Sequence, residues 1–404
     1  MCSFKQSLYF NAYRMRVMKK DSDLFLVRKG TKVHSKVKFL LEKSYEKERE
    51  VLNEMFEGFV DRDHKVINQF QETFHSTFWE IYLYSVLKKC NFDIDWSHEH
   101  PDFVISAPKK FYMEAVTSNK RFNKEHNYQH NKGGVFEIIK GYRDPREYNA
   151  LMRESISRNY YKIRDKLNCY NDKYKRNDWF DDTLPYVIAL GSYSQESYGR
   201  EYIFPLLALL YGQYYIPSEK KFSEAMFIYR PEDNDIDEKE KIPLGIFYLK
   251  EYADVSAIVF SSTVSLGKLS ALCSSDNKII HVWYDGDLRE PFKITIDKKE
   301  KLTDGLFVFH NPLAKKPLPL SVFECEHICQ FYSDKNGIIT SKSPHAHLVG
   351  RGLVKTKDKH SPDNLDKLHA VEAIESAFFN ELMSKAYSNY NYYYRVSDVT
   401  MNEK

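Results

Sequence analysis

Cysteine is scarce in this chain, at six of 404 residues. The first twenty residues do not form the uninterrupted apolar core of a secretory signal. No stretch approaches the roughly 18 consecutive apolar residues that a membrane-spanning helix needs. Together, these absences predict a cytoplasmic protein with reduced thiols and no association with a membrane.

A large excess of one charge is also missing. Lysine and arginine number 60 against 57 aspartate and glutamate residues, which gives a formal net charge of only +3. The chain as a whole is therefore no polycation, and any affinity for nucleic acid has to come from a local basic patch. Apolar residues, in contrast, make up 42% of the chain, which suffices for a large core.

Two N-terminal segments carry apolar residues at helical spacing. Residues 35–60 predict an amphipathic helix, and residues 66–90 predict a second helix. The buried stripe of the second helix is expected to contain Phe70, Phe74, Phe78, Leu83 and Leu87. Glu80 interrupts this strongly apolar stretch, and a carboxylate in such surroundings needs a partner or a function.

Helix and strand patterns mingle in the rest of the chain. A long basic helix is predicted over residues 145–175, and LPYVIALG, residues 184–191, has the wholly apolar pattern of a strand buried on both faces. Further helices are expected at 204–215 and 365–387, and further strands at 242–249, 255–262, 279–286 and 305–312. This mixture favours an α/β or α+β fold over an all-helical or all-β one, and α/β is the class that we predict.

The stretch PDFVISAPKKFYMEAVTSNK, residues 101–120, predicts a β-hairpin with the loop SAPKK. Pairing its two apolar runs places Asp102 opposite Glu114, because side chains alternate between the faces of a strand. One face is then buried and contains Phe103, Ile105, Phe111 and Met113. The two carboxylates emerge together on the other face.

Two adjacent carboxylates repel each other unless a cation or a shared proton relieves the repulsion. Mg²⁺ prefers a few carboxylates, a carbonyl and several waters, which Asp102, Glu114 and the backbone carbonyl of Ala115 or Val116 would provide. Such an ion supports phosphodiester hydrolysis, since it polarises the phosphoryl oxygen, activates water and stabilises the leaving oxygen. The hairpin therefore predicts a site for Mg²⁺ or Mn²⁺.

A helix with Glu80, a Pro-Asp pair at a strand and a second acid at the end of the next strand form a pattern that resembles the PD-(D/E)xK superfamily of restriction-endonuclease-like nucleases. The resemblance covers residues 66–191. It implies a restriction-endonuclease-like α/β core of order α-β-β-β-α-β, a mixed central sheet flanked by helices. It also implies that Asp102 and Glu114 are the metal ligands and that Glu80 holds a second metal or its water.

On this interpretation the chain has three parts. An N-terminal segment with the amphipathic helix covers residues 1–65, a nuclease domain with additional strands covers 66–320, and a C-terminal extension with a terminal helix covers 321–404. The N-terminal segment would form a helical layer on the core.

The chain departs from the superfamily pattern at one position. Val116 stands two residues after Glu114, where the superfamily has a lysine. In some members this lysine lies on the following helix, where the chain offers Lys166 and, one turn earlier, Lys162. Lys120, at the end of the hairpin, is a third choice. The resemblance implies that one of these lysines acts on the attacking water or the phosphate.

Basic residues flank the expected site on both sides. The loop after the hairpin contributes Lys120, Arg121 and Lys124, and the long helix contributes Arg158, as predicted contacts to a nucleic-acid backbone. The alternative is an ordinary solvated loop and a solvated helix face.

The residues and the resemblance together predict a nuclease that depends on Mg²⁺ or Mn²⁺. DNA is favoured over RNA by the resemblance alone, and restriction or anti-phage defence is a setting in which such proteins act. The missing motif lysine leaves an alternative, a catalytically inactive nuclease-fold protein that serves as a nucleic-acid-binding or interaction module. Two other interpretations stay open: a hydrolase of a substrate other than nucleic acid, and a purely structural pattern in which Glu80 and Glu114 form salt bridges with Arg or Lys. Whether the protein acts alone, as a homodimer or with a partner subunit stays open.

Two further patterns contain potential metal ligands. His98 and His100 stand two residues apart directly before the Pro-Asp pair, where they could ligate a metal, contact phosphate or belong to an ordinary loop. CEHIC, residues 325–329, could join His310 or His345 in a zinc site, although it does not contain a paired C-x-x-C.

Overall fold

The structure is a computed structural model. It describes residues 24–28, 30–119, 135–136, 145–193, 202–216, 221–230, 240–273, 278–284, 292–296, 299–325, 327–333, 339–342 and 347–354. The chain divides into two compact units, with the boundary between Ser85 and Val86. Within the described ranges, no helix is long and apolar enough to cross a membrane.

The N-terminal unit is helical. Its helices are α1 (Ser35–Leu40), α2 (Glu46–Phe56), α3 (Val66–Thr73) and α4 (His75–Lys89), the last of which continues across the boundary. The stripe predicted for the second helix is confirmed, since Phe70, Phe74, Phe78, Leu83 and Leu87 are all buried.

Both predicted N-terminal helices are interrupted. The helix expected over 35–60 is divided because the Arg49 side chain donates hydrogen bonds to the carbonyls of Leu40 and Glu42, and a 3₁₀ turn separates α1 from α2. The helix expected over 66–90 breaks between α3 and α4 at Phe74, whose φ is +48°. Helical spacing of apolar residues continued through both breaks, so it did not reveal them.

In its described residues, the C-terminal unit contains two larger sheets and two hairpins. Its strands are β1 (Asp93–Asp95), β2 (Phe103–Ala107), β3 (Phe111–Asn119), β4 (Val135–Phe136), β5 (Tyr186–Tyr193), β6 (Gln213–Ile216), β7 (Lys221–Glu224), β8 (Phe227–Tyr229), β9 (Lys241–Pro243), β10 (Ala257–Ser261), β11 (Lys278–Tyr284), β12 (Phe292–Ile296), β13 (Phe307–His310), β14 (Cys329–Ser333), β15 (Ile339–Lys342) and β16 (His347–Val354). Its further helices are α5 (Pro145–Asp172), α6 (Phe204–Tyr211) and α7 (Leu266–Leu272).

The central sheet is mixed and has eight strands in the order β1-β2-β3-β5-β10-β13-β14-β15. Strands β3, β5 and β10 run parallel to one another, and β13 and β14 are also parallel, whereas the remaining neighbours are antiparallel. Every residue of β5, β10 and β13 is buried, as expected for strands covered on both faces. The strand predicted over residues 184–191 and the α/β class are thereby confirmed.

Helix α5 covers one face of this sheet. Ile163, Leu167 and Tyr170 belong to the same apolar cluster as Ile188 and Leu190 of β5. The long helix predicted over residues 145–175 is therefore confirmed, and its apolar stripe faces the sheet.

Glycines change the expected course of the chain at two points. Gly212, with φ at +72°, ends α6, so that β6 replaces the last part of the helix predicted over 204–215. Gly245, with φ at +68°, is followed by a 3₁₀ helix over Ile246–Tyr248. The prediction of a strand over 242–249 was therefore wrong except at its first residues, which belong to β9. The apolar run is buried, but in a turn.

The residues after 320 contribute to both larger sheets. Strands β14 and β15 complete the central sheet, and β16 lies in the second sheet, whose order is β12-β11-β16-β4. This differs from the extension expected over residues 321–404. The helix predicted over residues 365–387 lies outside the described residues.

A wholly buried lysine joins α7 to the segment before β13. Lys268 Nζ donates to Glu300 Oε2 at 2.9 Å and to the carbonyls of Lys301 and Asp304 at 2.7 and 2.9 Å. The three donors of the ammonium group are thus satisfied, as the burial of a cation requires.

Cys90 and Cys325 form a disulfide between positions 235 residues apart in sequence. The expectation that all thiols are reduced was therefore wrong. The bond lines a cavity of about 590 Å³ together with Lys89, Lys109 and Glu324. A small reductant can therefore approach it.

We expect alkylation to separate these two cysteines from the others. In the oxidised folded protein, Cys90 and Cys325 should resist N-ethylmaleimide, whereas Cys273, which is half-buried and outside the disulfide, should react. After mild dithiothreitol treatment both should react, and the free energy of unfolding should fall by about 2–5 kcal/mol. Peptide mass mapping and urea unfolding measure the two effects, and equal labelling before and after reduction would contradict the bond.

A second prediction concerns acid stability. Burial lowers the pKa of His347 to about 3, whereas the unfolded chain titrates near 6.5. Between these values the unfolded state binds a proton that the folded state does not, so stability is complete above about pH 6.5 and falls as the pH drops. At about pH 5 this group should cost about 2 kcal/mol.

Urea unfolding at neutral pH and at about pH 5 should show this loss, and His347→Gln should make the difference smaller by the same amount. An unchanged difference in the variant would show that His347 is not the responsible group.

Candidate active site

The hairpin has the register that the apolar pattern predicts. Phe103 pairs with Met113, Val104 with Tyr112 and Ile105 with Phe111, so Asp102 lies opposite Glu114. Hydrogen bonds join the two acids: the Asp102 N–H donates to Glu114 Oε2 at 3.3 Å. The N–H of Ala115 donates to Asp102 Oδ2 at 2.7 Å. The predicted pairing is confirmed.

The face that carries Glu114 is covered by α5. The predicted buried face is confirmed for Phe103, Ile105, Phe111 and Met113. On the other face Glu114 is also buried, at only 2% exposure, and Asp102 is half-buried. A carboxylate at such depth requires a compensating charge.

Lys166 provides this charge from α5. Its Nζ lies 2.5 Å from Glu114 Oε1, and its side chain is 25% exposed. Burial alone would lower the pKa of Lys166, but the negative charges of Glu114 and Asp102 outweigh burial and raise it. The lysine therefore stays an ammonium ion beside the two acids. Lys162, one turn earlier, is exposed.

Tyr174, which the sequence did not identify, completes the surroundings of Glu114. Its hydroxyl hydrogen-bonds to Glu114, and burial together with the Glu114 charge raises the pKa of this tyrosine. Behind it, the Tyr186 hydroxyl donates to the backbone carbonyl of Lys166 at 3.2 Å. Tyr174 follows Lys166 by eight residues, twice the i,i+4 spacing that places side chains on one face of a helix. This spacing could have identified Tyr174 from the sequence.

The other predicted site residues belong to other elements of the chain. Glu80 is half-buried on α4 in the N-terminal unit, and its role as a second acid stays a prediction. Arg158 forms an ion pair with Glu154 at 2.7 Å and donates to the carbonyl of Asn119 at 2.7 Å. Its contact with nucleic acid also stays a prediction. The remaining candidates, Lys120, Arg121 and Lys124, lie outside the described residues.

The donor atoms at the acid pair fit a hard divalent cation. The two carboxylate oxygens of Glu114 have four lone pairs, and three of them accept from Lys166, the Asp102 N–H and the Tyr174 hydroxyl, so one remains for a cation. Within the described residues, no group of three or more His, Cys, Asp or Glu side chains could hold a metal. An ion here would therefore depend on two carboxylates, a backbone carbonyl and water, as Mg²⁺ sites commonly do.

The two histidines before the Pro-Asp pair have aromatic partners. The ring of His98 stacks on Trp179 with a centroid distance of 3.6 Å, and the exposed His100 lies over Tyr174 at 6.0 Å. Both rings are therefore stacked on aromatic side chains of the segment that follows α5.

The zinc site considered for CEHIC is not formed in the described part of the chain. Cys325 is in the disulfide, Cys329 is buried in β14, and His310 Nε2 lies 2.9 Å from Gln330 Oε1. These groups are engaged in separate interactions. His345 lies outside the described residues.

Substitutions at Lys166 and Glu114 should reveal their interaction. Lys166→Met leaves a buried carboxylate without its cation and should lower the free energy of unfolding by about 2–3 kcal/mol. This is less than the loss for a fully buried ion pair, because Lys166 is partly exposed to solvent. Glu114→Gln should cost about 1 kcal/mol, because Lys166 can still reach water. The double variant should be more stable than Lys166→Met alone, and additive losses in denaturant unfolding would contradict the pairing.

Comparisons of the chain with protein-family models, with curated proteins and with solved structures found no match. What the site does must therefore be inferred from its own residues.

Proposed function

We propose that the protein is a metal-dependent nuclease that hydrolyses phosphodiester bonds in nucleic acid, with DNA as the favoured substrate. The observation that carries the proposal is the meeting of Asp102, Glu114 and Lys166, which come from the residue before β2, from β3 and from the distant helix α5. On this proposal, Lys166 of α5 would take the place of the lysine that is missing two residues after Glu114.

The order of elements supports a restriction-endonuclease-like core. Helix α4 is followed by β1, β2, β3, α5 and β5, which is the α-β-β-β-α-β order of the superfamily that the sequence resembles. The short strand β4 intervenes, but it joins the second sheet.

Asp102 and Glu114 would hold Mg²⁺ or Mn²⁺, together with the carbonyl of Ala115 or Val116. When bound, such an ion supplies a Lewis acid that polarises the phosphoryl oxygen, lowers the pKa of a bound water and takes up negative charge. Glu80 would orient water or bind a second ion, a role that rests on the resemblance alone.

The chain's own residues would bind the substrate and stabilise charge. The ammonium of Lys166, which is fixed beside Glu114 and partly open to solvent, can donate to a phosphate oxygen as negative charge grows there. Lys162, exposed on the same helix, can contact the adjoining backbone. Lys120, Arg121, Lys124 and Arg158 would extend this backbone contact, and cytoplasmic restriction or anti-phage defence is the setting in which we place it.

Cleavage assays test the proposal directly. The full chain should cut plasmid or linear DNA with Mg²⁺ or Mn²⁺ and should be inactive with a chelator. Asp102→Asn, Glu114→Gln and Lys166→Met should each reduce the cleavage rate on the order of 100-fold or more. Lys342→Ala, which removes an exposed lysine paired with Glu324, is the matched control and should cut normally.

The outcomes separate the two candidate functions. Cleavage at the wild-type rate by both Asp102→Asn and Glu114→Gln would contradict the site assignment. Salt-dependent binding of DNA without cleavage by any metal would instead favour the inactive nucleic-acid-binding protein. Faster cleavage of RNA than of DNA would keep the site and change the substrate.

A further inference from the structure

The segment of residues 174–181 runs from the end of α5 towards β5, next to the acid pair. It begins with a 3₁₀ helix over Tyr174–Arg176 and continues in successive turns. The N–H of Asn177 donates to the carbonyl of Tyr174 at 3.1 Å, and the N–H of Phe180 donates to the carbonyl of Asn177 at 3.0 Å. These internal hydrogen bonds hold its aromatic side chains in fixed relative positions.

One set of contacts joins segment 174–181 to the strand of Glu114. The Tyr174 hydroxyl hydrogen-bonds to Glu114 itself. Phe180 stacks on Tyr112, two residues before Glu114, with a centroid distance of 4.2 Å and an interplanar angle of 16°. The N–H of Asp181 donates to the Tyr112 hydroxyl at 3.0 Å. The segment thus contacts both Glu114 and the residue that precedes it on the same face of β3.

A second set of contacts joins the same segment to the loop before Asp102. Trp179 stacks on His98 with a centroid distance of 3.6 Å and an interplanar angle of 5°. Tyr174 lies under His100 at 6.0 Å and 17°. Asp102 directly precedes β2, so the hydrogen bonds between β2 and β3 hold the chain that follows Asp102. The ring contacts of His98 and His100 hold the chain that precedes it.

We propose that segment 174–181 sets the spacing between Asp102 and Glu114, and that Tyr174 and Trp179 are positioning residues of the metal site. The inference rests on the proposed function, because it assigns the two side chains a role in binding the cation. Side chains that hydrogen-bond to metal-binding carboxylates or pack behind them orient these ligands, and their loss commonly weakens metal binding about 10- to 100-fold.

A purely structural role makes a different prediction. If the segment only fills space against Tyr112 and β5, its substitution should lower the melting temperature and leave metal affinity unchanged. Tyr174→Phe separates the two roles, since it keeps the ring over His100 and removes only the hydroxyl that reaches Glu114.

The experiment measures Mn²⁺ affinity by calorimetry and the melting temperature for the same set of full-length proteins. Tyr174→Phe and Trp179→Ala should each weaken Mn²⁺ binding about 10-fold or more. Trp179→Phe, which keeps a ring against His98, should bind within about threefold of wild type. The control is Tyr211→Phe, which removes a buried hydroxyl bonded to the carbonyl of His310 at 2.8 Å, and it should lose stability without losing affinity.

Two results would overturn the inference in distinguishable ways. If the wild type binds Mn²⁺ and Tyr174→Phe and Trp179→Ala bind it equally well, segment 174–181 does not position the ligands. If the wild type neither binds Mn²⁺ nor cleaves nucleic acid, the proposed function fails and the inference fails with it. Should Trp179→Ala not fold, Tyr174→Phe and His98→Ala decide the question, because His98→Ala also removes the stack between His98 and Trp179.

Discussion

The burial of the Glu114 carboxylate constrains the architecture around the candidate site. A charge with 2% exposure is costly unless a cation and hydrogen-bond donors reach it, and here Lys166, Tyr174 and the N–H of Asp102 do so. Lys166 can reach Glu114 only if α5 lies along β3 with one particular face turned to the sheet. The same rotation of α5 brings Leu167 into the apolar cluster. A single ion pair therefore links the rotation of α5 about its axis to the strand pairing of the hairpin.

Sheet geometry explains why two acids meet on this face. Strand β2 pairs with β3 only over Phe111–Met113, so Glu114 lies where the ladder between these strands ends. On its other side β3 pairs in parallel with β5 over Tyr112–Asn119, and that neighbour is wholly buried. Glu114 is thus held by β5 on one side, and on the other side the N–H of Asp102 donates to its carboxylate.

Local pattern predicted the parts of the molecule that depend on neighbours in sequence. Alternation within residues 101–116 was sufficient for the hairpin register, and a wholly apolar run was sufficient for β5, because both signals express burial of the segment itself. The role of Tyr174, the Cys90–Cys325 bond and the entry of residues after 320 into the sheet depend on partners far away in the chain. The helix break at Phe74 and the turn at Gly245, both residues with positive φ, were also missed, because the apolar spacing continued through them. The nearness of Lys166 to Glu114 was inferred from the resemblance rather than from spacing.

The parallel pairing of β13 with β14 determines how the chain can be shortened. All four residues of β13 are buried, and Phe309 stacks on Phe331 of β14 at a centroid distance of 4.9 Å. A fragment that stopped at residue 320 would lose β14 and β15 and would turn this apolar strand into the edge of the sheet. Unpaired backbone groups beside exposed phenylalanine rings invite pairing with other chains, so such a fragment would tend to aggregate. The smallest soluble piece of this sheet should therefore extend through Lys342.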